Sequence, residues 1–441
     1  MPDRVTAVGP AVGPCSPVVN AAAPVASNRS MRWCITGHLL GVLAITGLLA
    51  CSPGGEAVGA DAASAIDAAT DADLGPLDDG FGGGAGYVSP FIGIAEKVRV
   101  RPDGDLIVCG VEEGLRQELE VIRMRPDGAI DATFASAGVF SEPGEVGCND
   151  LRLLADGRIL VVAPTRLLVL GPDGAYDPLT SVIRPPTGGA TLSYYHRAVP
   201  APGGGMYLIG QVHTGVMIWR LTEALTLDPT FGGGAPVLVP RDATLADGAT
   251  LVALPGGPAL VVGGGWAVPI NPDTSVVHDE LIWLDAITGA RLGAPLESIA
   301  PPLVRAFATL IGGELMVLTS DRTVTVRAAD GTLATSWRVA DCGGGFPALY
   351  ASDTRRDPAG RVLVLLGDRV IRLAASGRAV DASFGCDGSL AFTLPDPVPD
   401  PLFGDAAFAF DLAPDGTIVV VGARAESFTI PRAWYVTRLV P

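Results

Sequence analysis

Lysine is nearly missing from this sequence. Lys97 is the single one, and lysine and arginine together number 30 against 47 acids, a formal net charge of −17. Such an acidic surplus repels phosphate backbones, so nucleic acid is excluded as a partner, and the arginine-for-lysine bias reads as GC-rich coding preference rather than as chemistry. Histidine is also scarce: of 4 in all, His38 lies near the N-terminus, and His196, His213 and His278 are scattered. With no CxxC and no paired histidines, no metal site is expected. The Asp-Gly pairs are spread too widely to gather the six or more oxygens calcium requires. No GxSxG elbow, no triad and no phosphate loop is present, since "FGGG" at Phe231 to Gly234 is followed by neither lysine nor a helix. No catalytic residue and no cofactor are therefore assigned. No apolar run is long enough for a comfortable membrane span.

Turn formers and core formers are abundant instead. Gly 57 and Pro 37 accompany 48% hydrophobic residues, the composition of a turn-rich chain that still builds a core. Residues 1–50 hold an export signal: Arg32 precedes an apolar run from Leu39 to Ala50, which ends in Leu48-Leu49-Ala50-Cys51. These last residues resemble the lipobox of bacterial lipoproteins, which implies cleavage before Cys51 and acylation of its thiol; a plain signal peptide is the alternative, and Met31 is an alternative start. Residues 51–76 are small and acidic, with little to bury, and are expected to form a flexible tether. The expected setting is the bacterial envelope, with the outer membrane or cell surface favoured and lipid on Cys51 as the membrane contact.

Residues 77–441 repeat. A Leu-Asp-x-Thr-Phe-Gly phrase occurs at Leu77-Asp78-Asp79-Gly80-Phe81-Gly82, Ile130-Asp131-Ala132-Thr133-Phe134, Leu227-Asp228-Pro229-Thr230-Phe231-Gly232 and Val380-Asp381-Ala382-Ser383-Phe384-Gly385. Each phrase belongs to a larger unit: strand, Asp-Gly turn, apolar strand, a third strand, a second such turn, then the phrase. The apolar strand recurs seven times, led by turn glycines from Gly104 to Gly416 at a mean step of 52 residues. Four short strands at this period predict an all-β, seven-bladed propeller of four-stranded antiparallel blades, with a parallel sheet or a β-sandwich as the alternative. The Asp-Gly pairs are expected to be two-residue hairpin turns with Asp tolerating the left-handed region, and the phrase Phe is expected to plug the gap between blades. An orphan phrase at Leu77 and a last unit lacking one predict that residues 77–90 supply the closing strand of blade seven, which removes two exposed sheet edges.

The "RPDG", "LIVCG" and "LDPTFGGG" segments resemble the delta-sixty repeat of bacterial secreted and surface proteins. That resemblance implies a propeller in an envelope or extracellular setting and carries no catalytic residues. Four cysteines follow Cys51; an even number in an exported chain favours disulfides, expected as Cys109 with Cys148 and Cys342 with Cys386, against two other connectivities or free thiols. Tyr194, Tyr195, His196 and Arg197 form a candidate ligand face for carbohydrate or peptide, with strand packing as the alternative. The inner strands also hold Arg99, Arg101, Arg152, Arg355, Arg356 and Asp411, which would suit an anion if they face a channel. The expected function is a monomeric, non-catalytic binding module for a protein, peptide or glycan. The alternative is a propeller enzyme of glycan lyase, hydrolase or quinone-dependent dehydrogenase type, with acids, His and Arg converging on the channel.

Overall fold

A computed structural model describes residues 77–441 apart from 114–116, 177–181, 184–186, 188–190, 241–243, 246–249, 255–258, 272–273, 294–295, 300–303, 311, 320–321, 340–350, 386–387, 395–405 and 425–432. Cys51, Cys342 and Cys386 lie outside the described residues.

Seven antiparallel sheets make up the fold. From the innermost strand outward, blade one comprises Gly93–Val100, Leu106–Glu112, Glu118–Met124 and Val139–Glu142, and blade two Asp150–Leu153, Ile159–Val162, Leu167–Leu170 and Val182–Ile183. Blade three comprises Leu192–Pro200, Met206–Val212, Gly215–Leu221 and Val237–Pro240. Blade four has five strands, because Thr244–Leu245 and Thr250–Ala253 both pair with Ala259–Asn271, which is followed by Thr274–Asp285 and Leu296–Ile299. Blade five comprises Val304–Thr309, Leu315–Thr319, Thr323–Arg327 and Leu333–Arg338, and blade six Ala351–Arg356, Val362–Leu366, Arg369–Leu373 and Ser389–Ala391. Blade seven takes Ala406–Leu412, Ile418–Arg424 and Ala433–Leu439 from the end of the chain and Tyr87–Val88 from its front. Each innermost strand lies against those of its two neighbours, all the way round the ring.

The closing segment pairs with the last strand as expected: Tyr87 pairs with Thr437 and Val88 with Val436. Leu77 bridges Leu439, and the Trp434 amide donates to the Phe91 carbonyl at 2.8 Å. Both ends of the described fold are thereby joined in one sheet, which covers the outer edge of Ala433–Leu439.

Every second strand is apolar at successive positions because both of its faces are covered. In blade one, Ile107 and Cys109 enter the core shared with blade two, while Leu106 and Val108 enter the core shared with blade seven. Seven apolar clusters result, one in each seam between neighbouring blades. Burial here is the main stabilising term, and it exists only once adjacent blades have met.

The hairpin turns differ from the expected two-residue form. In Arg101-Pro102-Asp103-Gly104 the Gly104 amide donates to the Arg101 carbonyl, and the Arg101 amide to the Asp105 carbonyl, so three residues make the loop. Gly104 takes the left-handed position at φ 89°, Pro102 fits the preceding position of the turn, and the Asp103 carboxylate accepts the Asp105 amide at 3.1 Å. Asp is therefore a hydrogen-bond acceptor in the turn and not its left-handed residue. The same geometry recurs at Asp127 and Gly128, and at Asp415 and Gly416.

The repeated phrase is a latch. Its Phe is buried in all four copies, Phe81, Phe134, Phe231 and Phe384. Phe134 of blade one lies beneath Gly174, the left-handed glycine in the second turn of blade two; a Cβ there would stand 2.9 Å from its ring. Phe81 meets Gly128 of blade one and Phe231 meets Gly289 of blade four in the same way. The residue after each of these three Phe then donates its amide across the seam: Gly82 to Asp127 at 2.9 Å, Ala135 to Asp173 at 2.8 Å and Gly232 to Thr288 at 3.2 Å. Within the phrase, Asp131 accepts the Thr133 amide and hydroxyl and pairs with Arg123 at 2.7 Å, and Arg123 also lies over the Phe134 ring. Arg220 with Asp228 and Arg372 with Asp381 repeat the pairing.

Candidate functional site

The innermost strands alternate by the rule of two. Val98, Leu151, Ala198 and Phe410 are buried in the seams; the charged residues beside them turn to the axis of the ring, whereas the apolar ones at the matching positions, Val199, Val252, Ala308 and Ala409, pack against the seams on the other side. Counting back from the turn glycines Gly104, Gly157, Gly204, Gly360 and Gly416, the residues five earlier are Arg99, Arg152, Val199, Arg355 and Asp411. Those seven earlier are Lys97, Asp150, Arg197, Asp353 and Ala409. In blades four and five the same positions hold Thr250, Val252, Ala306 and Ala308. The hub is thus charged over the arc of five blades and small or uncharged over the other two.

Each aspartate in the hub is shared between blades. Asp150 receives Arg99 at 3.1 Å from blade one, Arg152 at 2.8 Å from its own strand, and the Ala198 amide at 3.0 Å from blade three. Asp411 accepts the Val100 amide at 2.9 Å and Arg355 at 3.0 Å, joining blades one, six and seven. Arg197 of blade three reaches Asp353 of blade six at 3.1 Å, and those blades are not neighbours, so this pair spans the hub. Arg355 completes the set by bonding Asp353 at 2.7 Å. Burial raises the cost of ionising Asp150 and Asp353, but the guanidinium groups outweigh it and hold both carboxyls below the usual range.

Cations outnumber these aspartates. Burial, then repulsion from Arg355 and Arg152, pulls Arg99 down to about 9, and Arg152 is lowered by burial and by Arg197 and Arg355. Lys97 is lowered by burial, while Asp353, Glu96 and Asp150 oppose that shift. Among the described residues no hydrogen bond or ion pair engages Lys97 Nζ.

A slip in strand register precedes the hub positions in five blades. It falls at Glu96, His196, Arg305, Ser352 and Phe408, always eight residues before the turn glycine. A β-bulge of this kind re-aims its side chain. Glu96 accordingly reaches blade two, where Oε2 accepts the Cys148 amide at 2.5 Å, and Asn149, at the matching place in blade two, donates to the Tyr195 carbonyl of blade three at 2.5 Å. Burial pushes Glu96 up to about 7, against the opposing influence of that amide and of Lys97. The adjacent seam carries the Cys109–Cys148 disulfide, with Cα atoms 6.0 Å apart, as expected from the sequence.

The sequence-predicted residues divide into separate groups. Tyr195 is buried against Trp219 with ring centroids 5.4 Å apart, so its ring belongs to the seam between blades two and three. Tyr194 and His196 form an edge-to-face pair at 4.5 Å, and Arg197 enters the hub. Arg99, Arg152, Arg355 and Asp411 line the hub, whereas Arg101 turns to Asp103 and the Pro172 carbonyl, and Arg356 to Thr309. Sequence reasoning missed Glu96, Asp150 and Asp353 and took Lys97 for codon bias. Register counted back from the turn glycines is the signal that finds all four.

No family model matches this chain, and no curated protein matches it. Solved structures do. The WD40 β-propeller domain of Doa1 is similar at 11% identity over 79% of this chain and 97% of its own, with a TM-score of 0.44. The C-terminal WD40 domain of Sif2 is similar at 12% identity over 79% of this chain and 81% of its own, TM-score 0.42. A protein from Lactobacillus plantarum is similar at 18% identity over 68% of this chain and 86% of its own, TM-score 0.46.

Proposed function

We propose that this chain is an exported, lipid-anchored propeller of the bacterial envelope, related to the delta-sixty repeat proteins, that serves as a non-catalytic interaction module. Propellers are commonly such modules, presenting wide faces built from loops on a rigid scaffold. The observation that carries the reading is the place where the chain enters the ring. Leu77 bridges Leu439, and Tyr87–Val88 is the outermost strand of blade seven, so the described fold begins at the rim of the ring. The Leu48-Leu49-Ala50-Cys51 pattern supports lipid attachment, and the Cys109–Cys148 disulfide supports an oxidising compartment.

A channel enzyme is the second reading, favoured by the convergence of Glu96, Lys97, Asp150 and Asp353 on one axis. Two measurements separate these possibilities. Palmitate incorporation and membrane fractionation that vanish in Cys51→Ser support the anchor, and a soluble, unlabelled wild type rejects it. In a screen of envelope peptides and glycans against the full chain, a ligand recovered unchanged supports the module, while a ligand consumed, with turnover lost in Lys97→Met, supports the enzyme.

A further inference from the structure

We propose that the hub of the ring, centred on the chain's single lysine, Lys97, binds a compact oxyanion, a carboxylate or a phosphate group. This goes beyond the interaction reading and does not depend on it, since a macromolecular partner would meet the loop faces and the anion the axis.

Three observations converge. Lys97 stands at the register position that Asp150, Arg197 and Asp353 occupy in their own blades, and among the described residues its Nζ makes no hydrogen bond or close ion pair, Asp353, Glu96 and Asp150 acting on it through their charge alone. The hub also has a surplus of positive charge: Lys97, Arg99, Arg152, Arg197 and Arg355 face Asp150, Asp353, Asp411 and a Glu96 whose carboxyl is half protonated near neutral pH. The guanidinium groups repel one another, which is the second cause, after burial, that pulls Arg99 down. A single anion would relieve that repulsion and give Lys97 its missing partner.

The charge pattern fits the same picture. Blades four and five carry Thr250, Val252, Ala306 and Ala308 at the equivalent sequence positions, so they add no carboxylate there. In a chain of formal charge −17, a local cluster of this sign contrasts with the protein's overall charge and attracts an anion. The charges of the three aspartates are offset by Arg99, Arg152, Arg197 and Arg355, which pair with them.

The groups facing Lys97 are Glu96 on its own strand, Asp150 from blade two, Arg197 from blade three and Asp353 from blade six. An anion favours the charged ammonium, so binding raises the Lys97 pKa, and affinity falls as pH rises past the value in the unliganded protein.

One lysine makes the test direct. The full chain labelled with nitrogen-15 at the lysine ζ position gives a single side-chain resonance. Titration with inorganic phosphate and, separately, with acetate should shift it saturably and move its pH midpoint upward; saturation by phosphate alone assigns the phosphate class, and by acetate the carboxylate class. Equilibrium dialysis of the same probes should show at least tenfold weaker binding in Lys97→Met and retention in Lys97→Arg. The wild-type resonance keeps the test valid even if Lys97→Met fails to fold. A resonance that ignores both probes, or that moves equally with chloride at matched ionic strength, overturns the site.

Discussion

The rim and the hub of this ring are built on opposite plans. At the rim, copies of one phrase form the same latch, in which a Phe sits under the next blade's glycine, an amide is handed across the seam, and a third-strand arginine pins an Asp. At the hub most blades contribute different pairs of residues, blades two and six alone sharing Asp-x-Arg as Asp150 with Arg152 and Asp353 with Arg355, yet the side chains interlock, with Asp150, Asp353 and Asp411 each serving more than one blade. Where seams pose the same packing problem, the phrase recurs, in four copies; where all blades meet at one axis, the charged positions are mostly specified one by one.

The comparison can be broken at both ends. Deleting residues 77–90 should have the largest effect, since it opens blade seven, exposes strand edges and removes Phe81 from the seam with blade one; loss of a cooperative thermal transition is expected, and an unchanged melting temperature would refute the closure. Next, Asp150→Ala should cost about 3–5 kcal/mol by leaving Arg99 buried without its carboxylate, read as a shift in the denaturant midpoint. Phe134→Ala should cost a similar ~3–5 kcal/mol at the rim, and a double-mutant cycle with Gly174→Ala should reveal coupling, because the two groups touch.

The smallest expected effect is a change of slope. The folded protein holds a Glu96 proton that the unfolded chain gives up, so stability falls as pH rises from the ordinary 4.5 to about 7. Glu96→Gln should flatten the stability profile in that window and leave it unchanged below. A profile identical to wild type would mean that Glu96 does not titrate there.

Much of the rim was legible in the sequence because its determinants are local. Pro102-Asp103-Gly104 is a turn wherever it occurs, and Leu106-Ile107-Val108 is a doubly buried strand by composition alone. Even there, the number of loop residues was misjudged, since an Asp-Gly pair suits both two- and three-residue hairpins and only the Arg101 to Asp105 pairing distinguishes them. Tyr194 to Arg197 looked like one cluster because the residues are adjacent. Alternation and the bulge at His196 send Tyr195 into a seam and Arg197 into the hub.

The sequence alone determined the all-β repeat, its seven apolar strands and the closing segment, because period, turn chemistry and hydrophobic runs act over a few neighbouring residues. Only the tertiary structure decided which charges share the axis. Lys97, Asp150, Arg197, Asp353 and Asp411 lie far apart along the chain, and nothing short of closing the ring sets the distances on which their interactions depend.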